Sequence, residues 1–362
     1  MSTKPSEKEF LQTIFNQFEI DSKFNSFEIM ASGHINDTYL IKTSKKPYVL
    51  LQRINKGVFK DIPGLIQNKV SISKHLIQKN QHLTKVELNR KILQFIPTKN
   101  NTYFHVDTQG NYWNMMVYID KSITLETVSS SEIAYEGGKL FGNFLNLTSD
   151  FDANQLTEVI PKFHDMSFRF KQFDTALKTA LKTRKESASE QLKQVEKLRK
   201  EMHILQHLKE SGELKIRVTH NDTKLSNALF TEDFKGLCVI DTDTVMPGIV
   251  HYDFGDAIRT FCNTAAEDEK NLDLVTFNIA YYKAYSRGFI ESLESNLSPT
   301  EIKYLPLAAK TMIFIMALRF LTDYLNNDVY YKTTYPSHNL DRAKNQFKLI
   351  DSLTENFNQL TS

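Results

Sequence analysis

The segment THNDTKLSNALF, residues 219–230, constrains the fold of this chain more than any other feature. It holds His220 and Asp222 in an H-x-D pattern, with Asn227 five residues beyond the aspartate. A strand-like run, KIRV, precedes the segment, and a second apolar run, LCVID, follows it after a short polar turn. The surrounding chain has mostly helical patterns, so this region predicts a compact β-rich piece, at about 215–242, that interrupts the helices.

The runs 227–231 and 237–241, joined by EDFKG, predict a β-hairpin. A symmetric turn would place Asn227 opposite Asp241 at the open end, where cross-strand side chains approach closely enough to share an ion. Kinase catalytic loops have this arrangement: the aspartate accepts the proton of the substrate hydroxyl, and the asparagine binds magnesium. We therefore predict that Asp222 is the catalytic base and that Asn227 and Asp241 bind Mg²⁺. The simpler alternative is that Asp241 only ends a strand before a turn.

A second candidate for the magnesium ligand is the triplet Asp-Phe-Gly at 253–255, which holds metal in protein kinases. Here Asp253 follows a turn segment, TVMPG, and starts an apolar run with helical spacing, 254–262. An aspartate that caps this helix, with Asp256 near the positive end of the helix, accounts for both carboxylates. We therefore expect Asp253 to be structural.

The chain as a whole predicts an α+β fold with two regions. Strand-like runs, with one helix among them, occupy the first third of the chain: strands at 27–30, 38–43, 48–54, 92–96, 103–106 and 112–119, and the helix at 62–79. Helical patterns dominate from about residue 131. We predict a small antiparallel-sheet N-terminal lobe, 1–119, and a larger, mostly helical C-terminal lobe, 120–362, with a ligand site between them.

Composition limits the classes of partner. The 45 basic and 43 acidic residues leave a net charge of +2, which provides no electrostatic case for a nucleic-acid or membrane partner. Two cysteines are too few for a disulfide framework or a zinc site. The most apolar segment, LPLAAKTMIFIMALRFL, contains Lys310 and Arg319 and is expected to be too short and too charged to span a bilayer. With no apolar signal core in MSTKPSEKEF, a cytoplasmic location is the default expectation.

Two motifs, THNDTKLSN and VIDTDTVMPGIVHYDFGDAIR, resemble the aminoglycoside phosphotransferase and choline kinase group. GHINDTYLI, YVLLQRIN and ALRFLTDYL are most similar to N-acetylhexosamine 1-kinases, so the likeness covers most of residues 30–335. The resemblance implies a protein-kinase-like two-lobed fold and phosphorylation of a small molecule with ATP and Mg²⁺. For the nearer subgroup, the acceptor is the anomeric hydroxyl of an N-acetylhexosamine. The alternatives are another sugar, an aminoglycoside, choline or homoserine as acceptor, or a nucleotide-binding module without catalysis.

The first candidate hairpin, SGHINDTY, has a single glycine, Gly33, and cannot bring many backbone amides onto phosphates. The resemblance suggests that His34, Asn36 and Asp37 face the phosphates or the sugar. A polar β-turn explains the same residues equally simply.

The lysine that kinases carry on the third strand is missing, because YVLLQRIN has Gln52 and Arg53 at this point. Strand alternation allows only one of them to point inward. The following helix, IPGLIQNKVSISKHLIQ, contains no glutamate to pair with a buried arginine. We therefore predict that Gln52 points inward, towards the ATP site, and bonds to Asn68.

The resemblance assigns adenine recognition to the end of the segment YWNMMVYID. The backbone groups of Val117, Tyr118 and Ile119 would contact the base there. A core strand is an equally good interpretation of these apolar residues.

Arg319 lies among apolar neighbours in MIFIMALRFLTDYL, with Asp323 one turn further along. A surface ion pair between them is the ordinary explanation of this spacing. The resemblance instead implies that Arg319 contacts the sugar or the transferred phosphate, with Tyr330 and Tyr331 as stacking candidates. Four further residues are expected to support the site: His220, Lys224, Asp243 and Asp253.

Overall fold

The computed structural model describes residues 6–30 and 35–360. The chain divides into two compact units. The first, here called the sheet unit, comprises Met1–Ile123, Asp150–Pro161 and Leu229–Pro247. The second, the helical unit, comprises Thr124–Ser149, Lys162–Ala228 and Gly248–Ser362. Two later segments of the chain therefore belong to the same unit as the N-terminal sheet.

The sheet unit is built on a five-stranded antiparallel sheet with strand order β1-β2-β3-β5-β4. Its strands are β1 Phe24–Ile29, β2 Asp37–Thr43, β3 Val49–Arg53, β4 His105–Val106 and β5 Tyr112–Val117. Its helices are α1 Glu7–Phe15, α2 Ile62–Lys79 and α3 Lys85–Lys91. The predicted strand at 92–96 is wrong, because only Phe95 pairs there, in an isolated bridge to Met116.

The two faces of strand β3 have different environments. Val49 and Leu51 point into a core that includes Ile14 and Phe15 of α1. Since side chains alternate along a strand, Leu50 and Gln52 lie on the opposite face. The register pairs Gln52 with Asn114 of β5, so a polar pair lies on that second face of the sheet.

Helix α2 starts where its sequence predicts. Asp61 caps it by accepting a hydrogen bond from the Gly64 amide at 2.9 Å, and a proline follows within the first turn. Its apolar residues, among them Leu65, Ile66 and Val70, are buried. The predicted span, 62–79, is confirmed.

The predicted hairpin is also present. Strand β7, Ala228–Phe230, pairs with β8, Gly236–Val239, in a separate two-stranded sheet. A short strand β6, Arg217–Thr219, precedes it, and β9, Met246–Gly248, follows it.

The helical unit contains the remaining helices. They are α4 Ser131–Leu147, α5 Met166–Thr179, α6 Lys182–Ser187, α7 Ser189–Met202, α8 Ile204–Glu210, α9 Val250–Phe261, α10 Ile279–Leu293, α11 Pro299–Lys303, α12 Leu305–Leu325, α13 His338–Glu355 and α14 Phe357–Leu360. An antiparallel sheet in one unit and helices in the other confirm the predicted fold class.

Helix α12 is the core of the helical unit. Among the described residues it is the one helix long and apolar enough, by length and composition, to cross a membrane. It has 21 residues, so the expectation that this segment is too short is wrong. Of its most apolar window, 83% is buried inside the protein, which is typical of a core helix.

Candidate active site

The side chain of Asp222 is held from one side. Lys224 Nζ and Asn227 Nδ2 each donate to Oδ2 of Asp222, both at 2.9 Å. Within the described residues no hydrogen bond reaches Oδ1, so one carboxylate oxygen is left for a ligand. Burial opposes ionisation, but Lys224 and the asparagine amide outweigh it and hold the pKa of Asp222 below its ordinary value. The carboxylate is therefore ionised at neutral pH.

Asn227 is oriented so that its amide oxygen can bind an ion. Its Nδ2 donates to both the backbone carbonyl and the side chain of Asp222, at 2.8 and 2.9 Å. Its Oδ1 accepts no hydrogen bond from the part of the chain that the structure describes. An amide oxygen is a suitable ligand for Mg²⁺, so the donor chemistry fits the ion.

Asp241 belongs to the sheet unit, where it follows β8 in a left-handed backbone conformation, with φ 58°. Its side chain is exposed. Over residues 6–30 and 35–360, no group of three or more His, Cys, Asp or Glu side chains is arranged to hold a metal. A carboxylate oxygen is a ligand that Mg²⁺ accepts, so the donor chemistry of Asp241 fits the ion.

The carboxylate of Asp253 holds the loop that carries Asp222. It accepts hydrogen bonds from the backbone amides of His220 and Asn221, both at 2.7 Å. Burial raises the pKa of Asp253 to about 6. The prediction that Asp253 caps helix α9 is wrong, because the helix begins at Val250 with Ile249 as its N-cap. The aspartate lies in the first turn, and its partners are loop amides rather than helix amides.

The rest of the Asp-Phe-Gly triplet has packing roles. Phe254 is completely buried. A Cβ atom added at Gly255 would lie 2.3 Å from the carbonyl oxygen of Ala308 in α12, so only glycine permits this helix contact. All three residues of the triplet thus have structural explanations within the helical unit.

His220 is fully buried, and its ring meets Phe141 and Phe144 of α4 edge-on, at 6.1 and 5.9 Å between ring centres. The amide of Asp222 lies 3.3 Å from His220 Nδ1. The histidine thus links the catalytic loop to the aromatic core of the unit.

In the sheet unit, Lys69 of α2 forms a buried ion pair with Asp243. Lys69 Nζ also donates to Gln52 Oε1 at 3.2 Å. The predicted bond between Gln52 and Asn68 is wrong, because the Asn68 amide donates to the carbonyls of Thr157 and Val245, at 2.7 and 2.9 Å. Gln52 does point towards α2, but its partner is the lysine one position further along.

Of the three residues predicted to face the phosphates or the sugar, the structure describes Asn36 and Asp37, and both form hydrogen bonds. Asn36 donates to Asp243 and accepts from the Asn55 amide at 2.8 Å. Asp37 pairs with Arg53, whose Nε lies 2.9 Å from its Oδ2 and whose guanidinium lies over the ring of Trp113. His34 and Gly33 lie outside the described residues. Substrate binding by His34, Asn36 and Asp37 stays a prediction.

The backbone groups assigned to adenine differ in their availability. The amides of Val117 and Tyr118 donate to the carbonyls of Gln94 and Tyr48, both at 2.9 Å. The Ile119 amide donates to no acceptor within the described residues. Contact of these three positions with adenine stays a prediction.

Arg319 lies among aromatic rings and has no carboxylate partner among the residues that the structure describes. Its guanidinium carbon is 5.2, 5.9 and 5.5 Å from the ring centres of Phe163, Tyr330 and Tyr331. Within the described residues its one hydrogen bond goes to Met316 Sδ, at 3.4 Å. The ion pair with Asp323, which would be the ordinary explanation of the spacing, is absent.

Asp323 instead anchors the loop that carries the two tyrosines. Its carboxylate accepts from the amides of Val329, Tyr330 and Tyr331 at 3.0, 2.8 and 2.9 Å. Asn339 donates to it as well, at 2.9 Å. Arg319 and Asp323 therefore have separate roles. Arg319 lies against the rings, and Asp323 holds the backbone of the loop that carries Tyr330 and Tyr331.

A second guanidinium and a histidine, neither of them predicted from the sequence, lie near Arg319. Arg169 donates to the carbonyl of Phe163 and to Gln172, and burial together with the charge of Arg319 lowers the pKa of Arg169 to about 10. His164 Nε2 lies 3.3 Å from the carbonyl oxygen of Asn221, next to Asp222. Burial, Arg169 and Arg319 lower the pKa of His164 to about 3, so this imidazole is neutral.

These omissions had signals in the sequence. Lys69 occupies the buried stripe of α2, three and four residues after Ile66 and Leu65, where a lysine is unusual. Arg169 and His164 fall in the aromatic run FHDMSFRF. In both places a charged or titratable residue stands at an apolar position, and such residues usually have a specific partner.

The comparisons with known proteins agree with this geometry. The model of the phosphotransferase enzyme family, APH, matches residues 26–288. An aminoglycoside phosphotransferase from Alicyclobacillus acidocaldarius is 15% identical, with a TM-score of 0.61 over 99% of this chain and 98% of that one. A choline kinase from Cryptosporidium parvum is 14% identical, with a TM-score of 0.57 over 98% of this chain and 97% of that one.

A microcompartment-associated aminopropanol kinase is 12% identical, with a TM-score of 0.58 over 98% of each chain. Identities this low show a shared fold and do not identify an acceptor. The family match covers most of the chain and includes the loop that holds Asp222. This chain therefore belongs to the phosphotransferase enzyme family and is a small-molecule phosphotransferase.

Proposed function

We propose that the protein transfers the γ-phosphoryl group of ATP, with Mg²⁺, to the anomeric hydroxyl of an N-acetylhexosamine. The resemblance of its shorter motifs to N-acetylhexosamine 1-kinases supports the sugar. The observation that carries the acceptor class is the charge around Arg319, where two guanidinium groups form no ion pair within the described residues.

This charge discriminates among acceptors. Arg319 and Arg169 both act on His164, which contacts the residue next to Asp222, so their field reaches the catalytic loop. A cationic acceptor such as choline or an aminoglycoside would be repelled there, whereas a neutral sugar or a developing phosphate charge would not. Arginine also suits oxygen-rich ligands because its planar donors form paired hydrogen bonds.

In the proposed mechanism, Oδ1 of Asp222 accepts the proton of the acceptor hydroxyl and orients its oxygen towards the phosphorus atom. Lys224 and Asn227 hold Oδ2 and keep the carboxylate ionised. Asn227 Oδ1 and the carboxylate of Asp241 stay the predicted ligands of Mg²⁺, an ion that would spread the phosphate charge. The sugar C–O bond stays intact, so the product keeps its anomeric configuration.

A panel of acceptors tests the proposal. Purified protein is incubated with Mg·ATP and N-acetylglucosamine, N-acetylgalactosamine, other free sugars, choline, homoserine or an aminoglycoside, and products are located by phosphorus NMR. We expect an anomeric phosphate from an N-acetylhexosamine. The matched control is the methyl glycoside of the same sugar, which lacks the free anomeric hydroxyl and should give no product.

Other outcomes would contradict the proposal. Phosphorylation of the methyl glycoside would place the reaction at another hydroxyl. Turnover of choline or an aminoglycoside alone would show that the acceptor is cationic. Binding of Mg·ATP without transfer to any acceptor would indicate a nucleotide-binding module. A cytoplasmic location, and the lack of nucleic-acid and membrane partners, stay predictions.

A further inference from the structure

The buried ion pair of Lys69 and Asp243 has no counterpart in the sequence pattern of kinases. Kinases place a lysine on the third strand and a glutamate on the helix that follows. Here the strand position is Gln52, and the helix contributes the cation instead. The side chains of Lys69 and Asp243 are only 2% and 4% exposed.

One ammonium group therefore joins three parts of the sheet unit. Lys69 extends from α2, donates to Gln52 on β3, and pairs with Asp243 in the short 3-10 turn Thr242–Thr244. The second oxygen of Asp243 accepts from Asn36, which precedes β2. Lys69 Nζ also lies 5.4 Å from the centre of the Phe95 ring.

Stability alone does not explain this arrangement. Burying two charges costs several kcal/mol in desolvation, and apolar residues of similar volume often stabilise a protein at least as well. Asn114, the cross-strand neighbour of Gln52, is completely buried, and neither polar atom of its side chain has a partner in the described part of the chain. The buried ion pair and the unpartnered Asn114 side chain are both unfavourable for stability, and they occur side by side on one face of the sheet. Such a grouping is typical of a functional site.

We propose that Lys69 is a positioning residue that holds the segment from Asp241 to Asp243 against helix α2. This inference rests on the proposed function, in which Asp241 binds Mg²⁺. Asp241 lies two residues before the anchored carboxylate and has a left-handed backbone, a conformation that non-glycine residues adopt only when their surroundings fix it. Lys69 acts through Asp243, not by contact with the nucleotide. The lysine lost from β3 is thus replaced by one from α2, and its carboxylate partner lies beside the metal ligand.

The test measures ATP binding by calorimetry, once with Mg²⁺ and once with EDTA. The informative variant is Lys69→Met with Asp243→Asn, which leaves no unpaired buried charge. We expect its affinity for Mg·ATP to fall at least tenfold, while its affinity for ATP in EDTA stays within about threefold of the wild type. Thermal unfolding confirms that the variant is folded at the assay temperature. Lys74→Met is the matched control, since Lys74 is exposed on the same helix, and it should change neither affinity.

A rescue variant gives a second measurement. Gln52→Lys with Lys69→Gln returns an ammonium group to the strand, next to the position that Lys69 Nζ now occupies, 3.2 Å from Gln52 Oε1. We expect this exchange to recover most of the affinity for Mg·ATP. A purely structural role would leave the ratio of affinities in Mg²⁺ and EDTA unchanged in every folded variant.

Two results would overturn the role of Lys69. One is a folded Lys69→Met, Asp243→Asn variant that binds Mg·ATP within about threefold of the wild type. The other is an exchange variant that binds Mg·ATP no better than that double variant. A wild-type protein whose ATP affinity is the same in Mg²⁺ and EDTA would instead contradict the proposed function, so the two failures are distinguishable.

Discussion

At the residue scale, the chemistry of the site depends on how Asp222 is held. Two donors on Oδ2 keep its charge and leave Oδ1 open. We predict that Asp222→Asn lowers kcat by roughly 10²–10⁴ because the amide cannot accept a proton, while ATP affinity changes little. Steady-state kinetics and calorimetry measure the two effects. Asp233→Asn, the same change at an exposed turn, is the control, and unchanged turnover in Asp222→Asn would exclude a base role.

Arg319 acts at the same scale through the planarity of its guanidinium. We predict that Arg319→Lys raises the KM for the acceptor about tenfold or more, because an ammonium group lacks the paired donors and stacks poorly among three rings. The KM for ATP should change much less. Arg287→Lys is the matched control, since Arg287 stacks on Tyr135 at 4.8 Å but is exposed on α10. Equal effects of both substitutions on acceptor KM would refute the assignment.

At the scale of elements, helix α9 supports the catalytic loop through Asp253. Burial raises the pKa of this carboxyl from 3.8 to about 6. The folded protein therefore binds this proton more tightly than the unfolded chain does. The resulting stabilisation is fully present below about pH 4 and is lost as pH rises through about 6. The loss amounts to about 3 kcal/mol, on the order of 1.4 kcal/mol for each pH unit between the two pKa values.

Asp253→Asn removes this titration, because the amide is neutral at every pH. We predict that the stability of the variant relative to the wild type rises by about 3 kcal/mol between about pH 4 and about pH 7. At every pH the variant also loses one of the two amide hydrogen bonds, which shifts its stability by a constant amount. Urea unfolding across this pH range gives the difference directly. A difference that does not vary with pH would show that folding does not raise the pKa of Asp253.

At the scale of the whole molecule, each unit contains one buried thiol. Cys238 lies in the sheet unit and Cys262 in the helical unit, and both are free and buried. Burial raises the pKa of Cys238 to about 12 and that of Cys262 well above its ordinary value. Because the thiolate is the reactive form, we predict that the folded protein does not react with a thiol reagent and that both cysteines react in denaturant. In each single Cys→Ser variant, labelling of the remaining thiol reports on the unit that contains it. Rapid labelling of that thiol in either folded variant would contradict the predicted burial.

Local patterns predicted the elements well. The helical pattern at 62–79 predicted α2, and the two strand-like runs around EDFKG predicted the hairpin of β7 and β8. These features depend on neighbours within a few residues, whose propensities and caps are visible in the sequence. The position of the N-cap of α9 was wrong because a buried aspartate found loop amides from a distant segment.

The partners of the polar side chains were predicted least well. The expectation that Gln52 bonds to Asn68 is wrong, and the ion pair of Arg319 with Asp323, which was only the alternative interpretation of their spacing, is absent. A buried polar group satisfies its hydrogen bonds with whatever the fold brings to it, and sequence spacing does not limit that choice.

By itself, the sequence determined the class of fold, the loop around Asp222 and the loss of the strand lysine. All three follow from residue types at fixed short spacings, where backbone geometry leaves few alternatives. Only the tertiary structure decided that Lys69 pairs with Asp243, 174 positions away, and that Arg319 lies near Arg169 and forms no ion pair within the described residues. The physical reason is that burial makes an unpaired charge costly, and which charges are buried together depends on packing between segments that are far apart in the chain.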